Sequence, residues 1–210
     1  MNARAGLLLV LALSSASGGC SRDVESGGGL VLAQAPESTE QFGEVAPFQL
    51  TERSGKSVSR DDLLGRPWAA SFIFTRCSGP CPRVTSTMKA LSARLAKHTS
   101  RLVSLTVDPQ WDTPAVLAEY AQNAGAVADR WWFLTGDEAA IYSLIQKSFL
   151  LPVERAPEGT DVGMLVSHRT QIVVVDKRGR IRGYYEGETD KDLDAIVARL
   201  AFLEREPDAR

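Results

Sequence analysis

The sequence predicts an α/β domain at residues 46–206, with a mixed central sheet flanked by helices and a small N-terminal hairpin as an extension. Short apolar runs of strand length alternate with amphipathic helical segments, and a second hairpin and an amphipathic helix close the chain. Of the 210 residues, 44% are apolar, which is enough for one ordinary globular core with additional segments.

The individual strands and helices are predicted from the spacing of apolar residues, from turn residues and from capping residues. A hairpin turns at Ser54-Gly55, and a helix after the apolar strand 68–74 begins at Pro82, because proline suits the first turn of a helix. The segment 151–167 fits neither period and is interpreted as a long irregular loop. The remaining strands are expected at 101–107, 131–134, 171–176 and 181–185, and the remaining helices at 113–123, 137–149 and 190–204.

The N-terminus predicts export. Arg4 precedes an apolar core from Leu7 to Leu13, and small residues follow up to Cys20, a pattern too short to span a bilayer. It resembles a bacterial lipoprotein signal, which implies that residues 1–19 are removed and that Cys20 carries a lipid. Residues 20–45, with a glycine triplet and no sustained period, then form a flexible tether. The expected location is membrane-anchored, facing the periplasm.

Charge gives little indication of a polyanionic partner. The formal net charge is -2, and acidic and basic residues are interspersed along the chain. There is no basic stripe of the kind that tracks a phosphate backbone, so nucleic acid is not an expected partner.

Two cysteines four residues apart, Cys77 and Cys81, form the central motif, FTRCSGPCPRV. Since Cys20 belongs to the signal, these two must serve each other, as a disulfide, as a dithiol kept reduced by a partner, or as a metal site. Cys77 is expected at a strand end and Cys81 at the start of the helix, in non-helical geometry because Pro82 follows it. A helix N-terminus favours thiolate and lowers the thiol pKa, but disulfide exchange and metal binding both need that thiolate, so the local motif leaves both open.

The two histidines and two aspartates are the other candidates for residues of a functional site. His168, in LVSHRTQIVVVD, precedes a predicted core strand that could return it to the cysteines, although a single histidine is more often a surface or core residue than a ligand. His98 is interpreted as a side chain near a helix C-terminus, and the histidine spacing does not fit a zinc finger. Asp108 and Asp112 fit a plain turn, or acids that bind a partner or tune the charge of the site.

Together, CSGPCP, VDPQWDTP and the later His168 before an apolar strand resemble the Sco/SenC family of copper-binding proteins, which have a thioredoxin-like fold. The similarity extends from about Phe48 to the C-terminal helix and includes FIFTRC, FLTG and VVVDKRGRI. The resemblance implies that Cys77, Cys81 and His168 bind Cu(I) or Cu(II), with the two acids in an auxiliary role. It also implies a copper metallochaperone for the binuclear copper site of cytochrome c oxidase, with the copper-receiving subunit as partner.

The donor chemistry suits copper. Two thiolates select Cu(I), and an added imidazole makes Cu(II) acceptable. Both sulfurs must be reduced to bind, so copper loading and disulfide formation exclude each other. Arg169 departs from the family, which commonly has Ser after the histidine, and a cation there could alter redox tuning or partner choice. The cysteines are expected on an exposed rim, which makes a buried structural disulfide the least favoured of the three roles.

The alternative function is a thiol–disulfide oxidoreductase that uses Cys77 and Cys81 to reduce cysteines of a partner, so enzyme activity stays open. Thioredoxins carry a cis-proline before the strand that faces their cysteines. Residues 167–170 contain no proline, which favours metal binding. A peroxidase-like activity has less support than either of these functions, because those enzymes carry their reactive cysteine in a different local motif.

Overall fold

The computed structural model describes residues 37–207. The predicted signal at 1–19, Cys20 and the tether up to residue 36 lie outside these residues. Within 37–207, no helix has both the length and the apolar character needed to cross a bilayer. The strands are β1 (Gln49–Glu52), β2 (Ser57–Ser59), β3 (Trp68–Ile73), β4 (Arg101–Thr106), β5 (Trp131–Thr135), β6 (Val153–Arg155), β7 (Val166–His168), β8 (Ile172–Val175) and β9 (Ile181–Tyr185), and the helices are α1 (Cys81–Arg94), α2 (Pro114–Ala124), α3 (Glu138–Lys147) and α4 (Asp190–Arg205).

The main sheet is mixed, as the sequence predicts, and has the order β2-β1-β5-β4-β3-β8-β9. The strands β3, β4 and β5 are parallel neighbours, while β8 is antiparallel to β3, and the expected N-terminal hairpin is the antiparallel pair β1–β2. Every residue of β3 is buried, as expected of a strand in the middle of a covered sheet, and all but Ser71 are apolar. This central strand leads directly to the cysteines.

The helix after β3 buries one apolar stripe and begins one residue earlier than predicted. Val84, Met88 and Leu91 face the core at the spacing of one helical face. Cys81 is the first helical residue and Pro82 the second, so the expectation of a non-helical Cys81 is wrong. The first N–H groups of a helix have no partner within it, so a proline at the second position loses no hydrogen bond.

The segment 151–167 is not an irregular loop. It contains β6, a short 3-10 turn at Val162–Met164 and most of β7, and the two strands pair as a separate antiparallel sheet. Strands of three residues are too short to show a period in the sequence, so the pattern could not reveal them. This two-stranded sheet carries His168 at its end.

The folded part also begins before residue 46. Phe42 N–H donates to the carbonyl of Ile181 at 3.0 Å, and Ile181 N–H donates to that of Gly43 at 2.8 Å, so the end of the predicted tether packs along β9. The buried guanidinium of Arg182 donates to the carbonyl of Glu40 at 3.0 Å. These contacts fix where the chain enters the domain.

Candidate metal centre

Cys77 lies in the loop between β3 and α1, and Cys81 begins α1. Cys77 is half-buried, its N–H donating to the carbonyl of Phe74 at 3.2 Å, and Cys81 is 1% exposed at the first position of α1. Both are free thiols. The expected exposed rim is therefore wrong for Cys81, because the first turn of α1 directs its side chain into the core. Access to the pair is through Cys77.

Burial decides the protonation of Cys81. Removal from water raises the pKa of the Cys81 thiol, and its side-chain hydrogen bond with Cys77 raises the pKa further. A backbone hydrogen bond at Phe74 acts in the opposite direction but is smaller. The sequence-based expectation of a lowered pKa at the helix start therefore does not hold for this cysteine. Any metal or disulfide partner must displace a proton from Cys81.

His168 is distant from the cysteines in sequence but lies close to Cys81 in the structure. Its Nε2 lies 3.7 Å from Cys81 Sγ, although 87 residues separate the two. Its Nδ1 lies 3.0 Å from the carbonyl of Arg169, and its ring meets Phe74 edge-on at 6.0 Å between centroids. Burial lowers the pKa of His168, which favours the neutral ring. The carbonyl contact assigns the N–H to Nδ1 and leaves the Nε2 lone pair facing the sulfur.

His168 contacts Cys81, and Cys77 lies four residues before Cys81, but the three side chains do not form a complete metal site. Across residues 37–207, no group of three or more His, Cys, Asp or Glu side chains is arranged to hold a metal ion. The donor set nevertheless suits copper, since two sulfurs and one imidazole nitrogen are ligands for both of its oxidation states. Cys77, Cys81 and His168 are the residues that would hold it.

Asp112 anchors the segment that leads into the cysteines. Its carboxylate is fully buried and accepts from the backbone N–H of Thr75 at 3.1 Å, from the Thr75 hydroxyl and from the Thr106 hydroxyl. Burial raises the pKa of Asp112 against the lowering effect of these hydrogen bonds. Because this acid is out of reach of solvent, it has no direct contact to offer a partner.

Asp108 is equally buried and binds two arginines. Arg76, next to Cys77, donates to its Oδ2 at 2.6 Å, and Arg155, on β6, donates to its Oδ1 at 3.0 Å. The Arg76 guanidinium also lies over the ring of Trp111, 4.4 Å from its centroid. The acids predicted as auxiliary residues thus hold the two residues just before the cysteines.

Sequence reasoning missed Arg155 and the contact between Ser78 and Gly163. Arg155 meets partners 17 and 47 residues away, and no spacing rule marks such contacts. Ser78 N–H donates to the carbonyl of Gly163 at 3.3 Å, which places the 3-10 turn against the cysteine loop. His98, by contrast, bonds to Glu204 on α4 and takes no part in the cluster.

Comparison with known proteins finds relatives that are described as members of the Sco or SCO1/SenC family. Residues 36–202 match the SCO1/SenC family. A SCO1/SenC family lipoprotein from Bacillus anthracis is 28% identical, with a TM-score of 0.70 over 77% of this chain and 95% of that one. BsSco, a member of the Sco family of cytochrome c oxidase assembly proteins in which a disulfide switch was identified, is 32% identical, with a TM-score of 0.69 over 79% and 96%.

A copper-bound relative is also similar. ScoI from Bradyrhizobium japonicum, solved with copper bound, is 27% identical, with a TM-score of 0.62 over 77% of this chain and 99% of that one. The order of strands and helices described above and these similarities confirm the expected thioredoxin-like fold. The family match covers most of the chain and includes Cys77, Cys81 and His168. The chain belongs to the SCO1/SenC family.

Proposed function

We propose that this protein is a copper metallochaperone that binds Cu(I) and Cu(II) through Cys77, Cys81 and His168. The observation that carries the proposal is the approach of His168 Nε2 to Cys81 Sγ at 3.7 Å, with the free thiol of Cys77 four residues earlier in the chain. The copper-bound ScoI relative supports copper as the cargo. Two sulfurs and a neutral imidazole give one site that accepts either oxidation state.

The proposed target is the binuclear copper site of cytochrome c oxidase, with its copper-receiving subunit as partner. Membership of BsSco in a family of cytochrome c oxidase assembly proteins supports this assignment. Because a cysteine binds copper as the thiolate, and burial raises the pKa of the Cys81 thiol, copper loading must release the proton of that thiol. A partner able to donate a proton to Cys81 would favour copper release.

The proposed location is the outer face of a membrane, with a lipid on Cys20. The signal-like N-terminus supports export, and the Bacillus anthracis relative is itself a lipoprotein. The domain enters near Ser38, whose carbonyl accepts from Arg182 at 3.1 Å. The preceding residues 20–36 would link the lipid to this fixed entry point.

The second candidate function is thiol–disulfide exchange. Two free thiols four residues apart support it, as does the disulfide switch of BsSco. In this reaction the Cys77–Cys81 disulfide forms while a partner disulfide breaks, and two electrons and two protons pass to the partner sulfurs. The same pair cannot hold copper while it is oxidised.

Copper titration of the reduced protein tests the first proposal. We expect one equivalent to bind, with thiolate-to-Cu(II) charge-transfer absorption that is lost or shifted in His168→Ala. His98→Ala is the matched control, because His98 bonds to Glu204 outside the cluster. Unchanged copper affinity and absorption in His168→Ala would remove His168 from the ligand set. Rapid reduction of disulfide substrates without metal would instead place the oxidoreductase first.

A further inference from the structure

Arg155 joins parts of the protein that are distant in sequence. Its Nη2 donates to Asp108 at 3.0 Å and to Glu138 at 2.7 Å, and its Nε donates to Glu138 at 3.2 Å. Asp108 follows β4 of the main sheet, and Glu138 is the first residue of α3. One guanidinium therefore ties the β6–β7 sheet to both the main sheet and a helix.

The same buried carboxylate also holds the cysteine loop. Asp108 accepts from Arg76, the neighbour of Cys77, through the oxygen that Arg155 does not use. On the other side, Arg155 pairs with a β7 residue two positions before His168. A continuous path of ion pairs and strand pairing therefore runs from the thiols through Asp108 to the imidazole.

The direct contact between thiol and imidazole is too weak to set this distance by itself. The Cys81 Sγ to His168 Nε2 contact, at 3.7 Å, is a weak hydrogen bond, because a thiol is both a weak donor and a weak acceptor. Charge-assisted bonds between a guanidinium and two carboxylates are stronger and more directional. His168 lies on β7 and pairs with Val153 of β6, so the position of this two-stranded sheet also affects where the imidazole lies.

We propose that Arg155 is a positioning residue for His168, which it places beside the thiol pair by binding Asp108 and Glu138 at once. This inference rests on the proposed function, because it concerns how the third ligand reaches the two sulfurs. Residues that orient metal ligands through hydrogen bonds commonly change affinity about 10- to 100-fold when replaced.

A double-mutant cycle on the full-length protein tests this role, with Cys20→Ser in every version so that Cys77 and Cys81 are the thiols present. We expect Arg155→Gln to weaken Cu(II) binding about tenfold when His168 is present. In the His168→Ala background, the same change is expected to weaken binding by no more than about twofold. Equal weakening in both backgrounds would overturn the inference, since Arg155 would then act on general stability.

Two further variants separate positioning from charge. Glu154→Gln, on the same strand but with an exposed side chain, should leave copper binding unchanged. Arg155→Lys should restore part of the affinity, because an ammonium can bind one of the two carboxylates but lacks the fork that spans both. Full recovery of copper affinity in Arg155→Lys would contradict the proposed two-carboxylate link, because a positive charge without the fork would then be sufficient.

A copper-free measurement distinguishes this inference from the proposed function. The rings of His168 and Phe74 are 6.0 Å apart, so NMR cross-relaxation between them reports the position of the histidine in the reduced protein. Arg155→Gln should weaken this signal, and Glu154→Gln should not. An unchanged signal in Arg155→Gln overturns the inference. If His168→Ala binds copper like the parent, the proposed ligand set fails, and the NMR result alone decides whether Arg155 positions His168.

Discussion

Gly163 lies so close to Ser78 that a side chain cannot fit between them. A Cβ at residue 163 would lie 2.6 Å from the Ser78 Cβ and 3.0 Å from the Ser78 nitrogen, well inside van der Waals contact. The turn of the second sheet and the loop between the cysteines are therefore in direct backbone contact. This contact, like the Arg155 bridge, links the histidine-bearing segment to the thiols.

Gly163→Ala is expected to push this turn away from the cysteine loop. Overpacking of this kind costs about 1–3 kcal/mol in the free energy of unfolding, measured by denaturant titration. Gly79→Ala is the matched control, because its Cβ would be 3.8 Å from Cys77 Sγ, an ordinary contact. Adding Ser78→Gly should recover part of the loss, since the side-chain clash disappears while the backbone nitrogen remains. A fully stable Gly163→Ala would contradict the close contact.

The two thiols should differ in reactivity when no metal is bound. Cys77 is half-buried, whereas Cys81 is buried and its pKa is raised, so little Cys81 thiolate exists at neutral pH. We expect iodoacetamide to modify Cys81→Ser, which retains Cys77, faster than Cys77→Ser, as measured by mass spectrometry. Because a raised pKa shifts ionisation to higher pH, the Cys77→Ser rate should still be climbing above pH 9. Equal rates at pH 7 would exclude this difference.

Asp108→Asn should destabilise the protein more than loss of an exposed acid does. The change removes the shared charge from Arg76 and Arg155, whose guanidinium groups keep some access to water, so the expected cost is about 1–3 kcal/mol. Asp190→Asn is the comparison, since Asp190 forms a surface ion pair with Arg94 worth no more than about 1 kcal/mol. Similar unfolding free energies for the two variants would show that Asp108 has no special structural role.

Leu150 is strained, and relieving the strain should stabilise the protein. It has a φ of 54° with a 60% exposed side chain, a left-handed conformation that costs a leucine about 1–2 kcal/mol. Leu150→Asn should therefore raise the unfolding free energy by up to about 1 kcal/mol, because asparagine tolerates this conformation. Leu150→Ile should lower it, since branching at Cβ worsens the clash. Thermal unfolding of the three proteins gives the order directly.

Much of the fold was predictable because its signals are local. The apolar run after Pro67 predicts a buried central strand, and Thr113, Pro114 and Gly125 mark the two ends of α2 as the structure has them. Thr113 Oγ1 accepts from Val116 N–H, and Gly125 adopts a φ of 72° at the end of the helix. These residues act within a few positions of themselves, so their effect can be read without knowing the rest of the chain.

The candidate site was predictable only in part. The cysteine pair is visible in the sequence, and family resemblance adds His168, but the local pattern does not reveal the short strands that carry this histidine. The expected low pKa and exposed position of Cys81 were wrong, because they treat the helix start as if it faced solvent. Burial depends on what packs around the first turn of α1, which no local motif specifies.

The sequence by itself determined the order of the main-sheet strands and of the four helices and the place of the two thiols between a strand and a helix, and the family resemblance added His168 to the residues proposed to hold copper. Only the tertiary structure decided that Cys81 is buried, that the two acids lie beneath the cysteine loop, and that Arg155 links that loop to His168. The physical reason is the distance along the chain over which each interaction acts. Propensities, caps and turns act between neighbouring residues, whereas desolvation and ion pairing depend on groups that folding brings together from tens of residues apart.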